Sequence, residues 1–344
     1  MGLSGGDAPA AGGGGGSLRW GLLSTARINH ALAAGARASA AAEIVAVASR
    51  ERARAEAHAR ELGVERVHGS YEALLADPEV DAVYVSLPNA LHVEWAVRAL
   101  EAGKHVLCEK PLSRRAVDAE AAFAAADRSG RVLAEAFMWR HHPQARRLEA
   151  LVREGAIGRL RLVRACFSFA LRDERDVRLS ADLDGGALMD VGTYCLSGAR
   201  LLAGEPVRVY GEQELSAGGV DVAFAATLRF GDDVLASLDC GFGVPARDEL
   251  EAIGEEGSLF LDDPWHGRAP GLELRRPDGT EESIAVEAAD PYRLELEDFA
   301  RATRGETPAL LGRADAVGQA RALEALYASA ASGQPVALSE RSST

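Results

Sequence analysis

The stretch Val80-Asp81-Ala82-Val83-Tyr84-Val85-Ser86-Leu87-Pro88-Asn89 and the segment His105-Val106-Leu107-Cys108-Glu109-Lys110-Pro111 beyond it decide the fold class. Both are short, continuous apolar runs that stop at a proline, as expected of strands buried on two faces. Between them Ala90 to Ala102 is helical in composition and stops at Gly103. A strand, a crossover helix and another strand form a parallel unit, and the alternation continues on both sides. Leu18 to Ser24, Glu43 to Ser49 and Val132 to Phe137 read as strands. Ile28 to Ala36, Glu51 to Leu62 before Gly63, and a Ser113-capped segment to about Ser129 read as helices. The pattern implies six strands with helical crossovers, an α/β fold on a doubly wound parallel sheet.

Near residue 140 the pattern changes. Pro143 to Glu154 reads as a helix, and Leu160 to Phe169, Val207 to Leu215, Val220 to Phe230 and Val234 to Phe242 are strand-like. Val220-Asp221-Val222-Ala223-Phe224 alternates, and Phe230-Gly231-Asp232-Asp233 reads as a hairpin turn. Strands with one packed and one free face predict an α+β domain with a large, mostly antiparallel open sheet. Phe299 to Arg304 and Arg313 to Ala331 read as closing helices. The expected organisation is a flexible glycine-rich leader over 1–17, a first domain over 18–140 and a second over 141–338.

Composition narrows the function. The 344 residues are enough for two domains with separate cores. With 38 basic against 52 acidic side chains, the net charge of −14 argues against nucleic acid as a partner. No apolar stretch reaches the length of a membrane span, about 18 residues. Cys108, Cys166, Cys195 and Cys240 are far apart and read as reduced, buried thiols of a cytoplasmic protein. Only two of the basic residues are lysines, Lys104 and Lys110. In an arginine-rich chain, a retained lysine suggests a group that must be able to lose its proton.

A doubly wound sheet binds ligands beyond the carboxyl ends of its strands. The first such end reads Ser24-Thr25-Ala26-Arg27-Ile28-Asn29. Ser24, Ala26 and Asn29 stand where a dinucleotide fingerprint places glycines, so the turn is a degenerate pyrophosphate site or an ordinary tight turn. After the second strand come Ser49 and Arg50, with Arg54 one helical turn on, where an NAD site places an acid. A hydroxyl and guanidinium groups suit the 2′-phosphate of NADP better than the free ribose of NAD. Leu87, Pro88, Asn89, His92, Glu109 and Lys110 follow at the next strand ends, where the rest of the cofactor is expected.

Pro88-Asn89-x-x-His92 and Ala102-Gly103-Lys104-His105-Val106-Leu107-Cys108-Glu109-Lys110-Pro111 closely resemble the Gfo/Idh/MocA oxidoreductases. The likeness continues through Glu135-Ala136-Phe137-Met138-Trp139-Arg140-His141-His142-Pro143, Gly185-Gly186-Ala187-Leu188-Met189-Asp190-Val191-Gly192-Thr193-Tyr194 and Asp290-Pro291-Tyr292-Arg293-Leu294-Glu295. It implies a Rossmann nucleotide-binding domain followed by a substrate domain, catalysis by Lys110, and Asp190 and Tyr194 as its partners. Tyr194 takes the place of the family's usual histidine. That departure resembles the NADP-dependent D-xylose 1-dehydrogenase, dimeric dihydrodiol dehydrogenase and glucose-fructose oxidoreductase branch. The expected substrate is a sugar or alicyclic alcohol, with a ketosugar or nucleotide-sugar reductase as one alternative and a non-catalytic NADP sensor as another. Arg140 and His142 are expected to line the substrate pocket, and Trp265 to cover the apolar face of a sugar ring. His141-His142 suggests no metal, because neighbours on an extended segment point apart and no acidic or cysteine cluster adjoins them. The resemblance further implies a homodimer or homotetramer paired through the open sheet.

Overall fold

The computed structural model describes residues 16–338, so residues 1–15 of the expected leader lie outside it. Strands β1 (Leu18–Leu23), β2 (Ala42–Ala48), β3 (Arg66–His68), β4 (Ala82–Val85), β5 (His105–Glu109) and β6 (Leu133–Ala136) form one parallel sheet, ordered β3-β2-β1-β4-β5-β6. The connecting helices are α1 (Asn29–Arg37), α2 (Arg52–Leu62), α3 (Tyr71–Leu75), α4 (His92–Glu101) and α5 (Ala116–Ser129). Side chains leave the strands alternately. Trp20, Leu22, Tyr84 and Leu107 join the core under α1 and α2, while Leu23, Val83, Val85, Val106 and Cys108 join the core under α3, α4 and α5. Strand order reverses between β1 and β4, which opens a crevice at their carboxyl ends.

Two details depart from expectation. Five of the six expected strands coincide with apolar runs, and the remaining one, the edge strand β3 at Arg66–His68, is too short and too exposed to leave such a run. Helix α5 begins at Ala116 with Arg115 at its cap, while the Ser113 hydroxyl accepts the Arg115 N–H at 3.0 Å, just ahead of the helix.

Strands β7 (Leu160–Ser168), β8 (Pro206–Leu215), β9 (Asp221–Phe230), β10 (Leu235–Gly241), β11 (Arg247–Gly254), β12 (Gly257–Leu261), β13 (Gly271–Arg275), β14 (Glu281–Ala285) and β15 (Val336–Ala337) form a second sheet, ordered β14-β13-β12-β11-β7-β10-β9-β8-β15. Every pairing in it is antiparallel except β7 with β10. Helices α6 (Pro143–Arg153) and α7 (Thr193–Ala203) cover one face, and the other carries Arg164, Ser237, Asp239, Arg247, Glu251 and Arg275. Strand β11 escapes a sequence reading because its open-face residues are charged. In Arg247-Asp248-Glu249-Leu250-Glu251-Ala252 only Leu250 and Ala252 enter the core.

After β14 the chain returns to the first sheet before β15 rejoins the second. Helix α8 (Pro291–Thr303) sets Leu296 and Phe299 beneath Trp20, with the Trp20 and Phe299 rings 5.0 Å apart. Helix α9 (Arg313–Ser332) puts Ala316, Val317 and Ala320 into the first domain's core and Leu323 and Leu326 into the second's. The two sheets are therefore fastened by shared helices as well as by the crossing near residue 140.

Candidate active site

Lys110 leaves the carboxyl end of β5 through a cis Lys110-Pro111 bond. Its ammonium donates to the main-chain oxygen of Asp190 at 2.7 Å and to Asp190 Oδ1 at 3.3 Å. The same Nζ stands 4.8 Å from the centre of the Tyr194 ring. Asp190 lies in a π-helical turn, Leu188–Gly192, that runs directly into α7 and Tyr194. Wide turns of this kind are common at functional sites because they re-aim side chains. Here the turn presents both the Asp190 carbonyl and its carboxylate to one ammonium. Three residues implied by the family likeness therefore converge from two domains.

The electrostatics assign each group a state. Burial works to raise the Asp190 carboxyl, but Lys110 and Arg178 outweigh it and hold the group below its usual range. Burial, reinforced by Glu109, pushes the Tyr194 phenol well above its ordinary value, so it remains a hydroxyl. Glu109 is raised by burial against the pull of Lys110, and it accepts hydrogen bonds from the Tyr84 hydroxyl and the Lys110 N–H.

Arg178 is a site residue that sequence reading missed. Its Nε donates to Asp190 Oδ2 at 2.6 Å, and its Nη1 lies 3.3 Å from Asp176. It belongs to a loop twelve positions before Asp190, and no local pattern distinguishes it from the many other arginines.

The expected cofactor turn is built from side chains. Ser24 Oγ donates to the Ser86 carbonyl at 2.9 Å and accepts the Ala26 N–H at 3.0 Å. Asn29 Nδ2 donates to the Ser24 carbonyl at 3.0 Å, and its Oδ1 accepts the Ser86 hydroxyl at 2.7 Å. Asn29 thus ties the β1 turn to the end of β4, which explains an amide where a fingerprint has glycine. Thr25, Ala26, Arg27 and Ile28 lead into α1, whose first N–H groups, of Asn29, His30 and Ala31, donate to the carbonyls of Ala26, Arg27 and Ile28. After β2, Ser49 is buried, with its hydroxyl accepting the Glu51 N–H at 3.3 Å. Arg50 is exposed beside the Tyr71 hydroxyl, and Arg54 lies 3.9 Å from Glu51. No acid directly follows β2, so the donors present fit a phosphate-bearing ribose. Leu87 and Pro88 follow β4, and the Asn89 side chain donates to the Asp184 carbonyl at 2.8 Å, across the domain boundary.

Four of the residues expected to meet ligands are engaged by partners within the protein. His92 is 1 % exposed and both ring nitrogens face main-chain oxygens, of Pro111 at 2.8 Å and Leu87 at 2.7 Å, so neither nitrogen is turned toward the crevice. Trp265 is fully buried, with its indole N–H donating to the Cys166 carbonyl at 3.2 Å, so it covers no sugar ring. His142 is buried as the cap of α6, where Nδ1 accepts the Gln144 N–H at 3.1 Å. Arg140 is turned inward, its Nη1 3.4 Å from Ser197 Oγ and 3.5 Å from Asp315. His141 also differs from expectation: it sits in a 3-10 turn, not an extended segment, with Glu295 and Asp298 each 4.0 Å from a ring nitrogen. Lys104 is structural. Its ammonium fits between the carbonyls of Asp77 and Val80, both at 2.7 Å. All four cysteines are free and buried.

The switch-point crevice and the Lys110 cluster together define an oxidoreductase of the dinucleotide-binding class. Comparison with known proteins agrees. Residues 19–137 match the oxidoreductase family with an NAD-binding Rossmann fold, and residues 145–260 match the Gfo/Idh/MocA C-terminal domain. The chain is 39% identical over 288 residues to D-xylose 1-dehydrogenase (NADP(+)) 2 of Haloferax volcanii, covering 82% of this chain and 88% of that protein. It is 43% identical over 254 residues to a dTDP-3,4-didehydro-2,6-dideoxy-alpha-D-glucose 3-reductase of Streptomyces violaceoruber, covering 72% and 74%. The crystal structure of a 3-ketoreductase from Actinomadura kijaniata with NADP and TDP-benzene superposes with a TM-score of 0.86 at 33% identity, over 91% of this chain and 98% of that one. The chain belongs to the Gfo/Idh/MocA family of oxidoreductases.

Proposed function

We propose that the protein is an NADP-dependent oxidoreductase that moves a hydride between the nicotinamide and a carbinol or carbonyl carbon of a sugar or alicyclic alcohol. The observation that carries this reading is the Lys110 ammonium held on Asp190 and over the Tyr194 ring at the carboxyl rim of the sheet. The Ser24 to Ile28 turn and the α1 N-terminus would hold the pyrophosphate, and Ser49, Arg50 and Arg54 the 2′-phosphate. The bound cofactor supplies or accepts the hydride.

The protein's own residues handle the proton. An ammonium has three N–H donors, and the carbonyl and carboxylate of Asp190 engage two of them. The third is left for a substrate oxygen. In reduction, Nζ gives a proton to the oxygen of the former carbonyl; in oxidation it takes the hydroxyl proton. Tyr194, kept as a hydroxyl, donates to the same oxygen. Asp190 stays ionised and steadies the cationic form of Lys110, and Arg178 holds the outer carboxylate oxygen so that Oδ1 faces Nζ. A sensor would have no need for this proton-handling set.

The open, charged face of the second sheet supports a homodimer or homotetramer paired through it. Four free, buried cysteines support a cytoplasmic setting. Among the described residues no helix is long and apolar enough to cross a membrane. The test is a 340 nm screen of aldoses and dihydrodiols with NADP and NAD, and of ketosugars, including nucleotide-linked ones, with NADPH and NADH. Turnover of a sugar or dihydrodiol with NADP supports the reading, and turnover confined to nucleotide-linked ketosugars makes the protein a reductase of that class. NADP binding without turnover of any of them identifies a sensor.

A further inference from the structure

One peptide group joins Pro111 to Leu112, immediately after Lys110. Its carbonyl oxygen lies 2.8 Å from Nδ1 of His92, and its N–H donates to Oε1 of Glu135 at 2.7 Å. The two side chains come from different elements: His92 opens α4, and Glu135 lies within β6. Both are 1 % exposed. The other nitrogen of His92 faces the Leu87 carbonyl at 2.7 Å, beyond the end of β4. The ends of β4, β5 and β6 are thereby tied to one another through a single peptide plane.

Neither side chain is an economical way to fill a core. A buried carboxyl is costly, and burial pushes the Glu135 group up to about 8 while its Oε2 finds no hydrogen-bond partner. An apolar residue of that size would avoid this penalty. What it could not do is accept the Leu112 N–H, which would then be an orphaned buried donor. His92 likewise supplies what no apolar residue can: burial holds the ring below its ordinary value, and its single N–H donates to one of the two carbonyls that its nitrogens face.

We infer that His92 and Glu135 are positioning residues, holding the Pro111-Leu112 peptide group from its two ends and so fixing where the Lys110 ammonium stands. The inference rests on Lys110 acting at the substrate. Displacing a reacting group by about 1 Å can reduce rate by ~10²-fold, so a small tilt of this peptide plane matters to chemistry more than to folding.

The test compares Glu135→Leu, Glu135→Gln and His92→Gln by kcat, by NADP dissociation constant and by amide hydrogen exchange of the segment 108–113. Glu135→Leu is expected to lower kcat by roughly 10–100-fold, speed exchange at Leu112, and leave the NADP constant within about three-fold. Glu135→Gln keeps an acceptor at the same place and rescues both kcat and slow exchange. His92→Gln replaces the rigid ring, which spans both carbonyls, with a flexible amide, and it should reproduce the loss in part. It also provides the reading if Glu135→Leu fails to fold. Parental kcat and parental exchange in Glu135→Leu and His92→Gln would overturn the inference. So would a Glu135→Gln loss as large as that of Glu135→Leu, which would make the carboxyl's proton the important feature. The exchange measurement is independent of turnover, so it still reports on the brace if the activity itself is misassigned.

Discussion

The two ends of β5 carry the chain's two lysines, and they are used in opposite ways. At the entry, Lys104 places its ammonium between two carbonyls of the segment leading into β4. At the exit, Lys110 places its ammonium on a carbonyl and a carboxylate of the second domain, over an aromatic ring. Both amines are shielded from water and both bond main-chain oxygen. The difference lies in the partners. Lys104 donates only to carbonyls, which cannot change protonation, whereas Lys110 meets an ionised acid and a phenol at the mouth of a ligand crevice. A lysine retained among arginines has two distinct reasons to be there: a compact ammonium fits a gap too small for a guanidinium, or an amine can exchange a proton.

Substitution at each end sharpens that contrast. The largest effect is expected from Lys110→Arg, which keeps the charge but cannot release a proton near neutral pH. It should lower kcat by roughly 10²–10⁴-fold with little change in melting temperature. Tyr194→Phe should lower kcat as well, and the double variant should lose less than the sum if both groups serve one oxygen. Lys110→Arg retaining most activity would reduce the exit lysine to the structural status of Lys104.

Next in size is Asp190→Asn. Its carbonyl still accepts from Nζ, but the carboxylate charge is gone, and a loss in kcat of ~10²-fold is expected from the loosened ammonium. Because the carboxyl is held below its ordinary value, its ionisation persists above that value and is lost only as pH falls through the lower folded one. The acid limb of the parent's rate profile between pH 5 and 7 should therefore belong to another group, and a limb there that vanishes in Asp190→Asn would contradict this.

Arg50→Ala should weaken NADP binding by about 1.5–3 kcal/mol, the scale of a charge-assisted hydrogen bond, and leave NAD binding nearly unchanged. Equal weakening of both cofactors, measured by fluorescence titration, would remove Arg50 from the 2′-phosphate site.

Lys104 is expected to register in stability alone. Lys104→Met leaves two buried carbonyls without their donor, a cost of about 1–3 kcal/mol in unfolding free energy, with kcat unchanged. Burial lowers the Lys104 amine below 10.5, so the unfolded chain holds the proton more firmly than the folded one. Parent stability should then rise as pH climbs from the folded value toward 10.5, and that slope should disappear in Lys104→Met. Denaturant unfolding at several pH values checks the sign. A fall in kcat for Lys104→Met would erase the contrast between the two ends.

The alternation of elements, the doubly wound sheet and the place of Lys110 at a strand's carboxyl end were all legible from the amino-acid order. Those features are written in short-range pattern: continuous apolar runs for strands buried on two faces, glycines at helix stops such as Gly63 (φ 69) and Gly130 (φ 64), and prolines at strand ends. Asp190 and Tyr194 were legible through family likeness, because they lie four positions apart on one continuous helical stretch. Tertiary structure alone decided what stands around them. Arg178 reaches Asp190 from a loop, and His92 and Glu135 meet at one peptide group from two elements. Trp265 and His142, apt for a sugar by type, are turned into the core and a helix cap. Residue type and spacing report what a side chain can do, but its partners come from segments far away in the chain, and burial determines which of its possible contacts it makes.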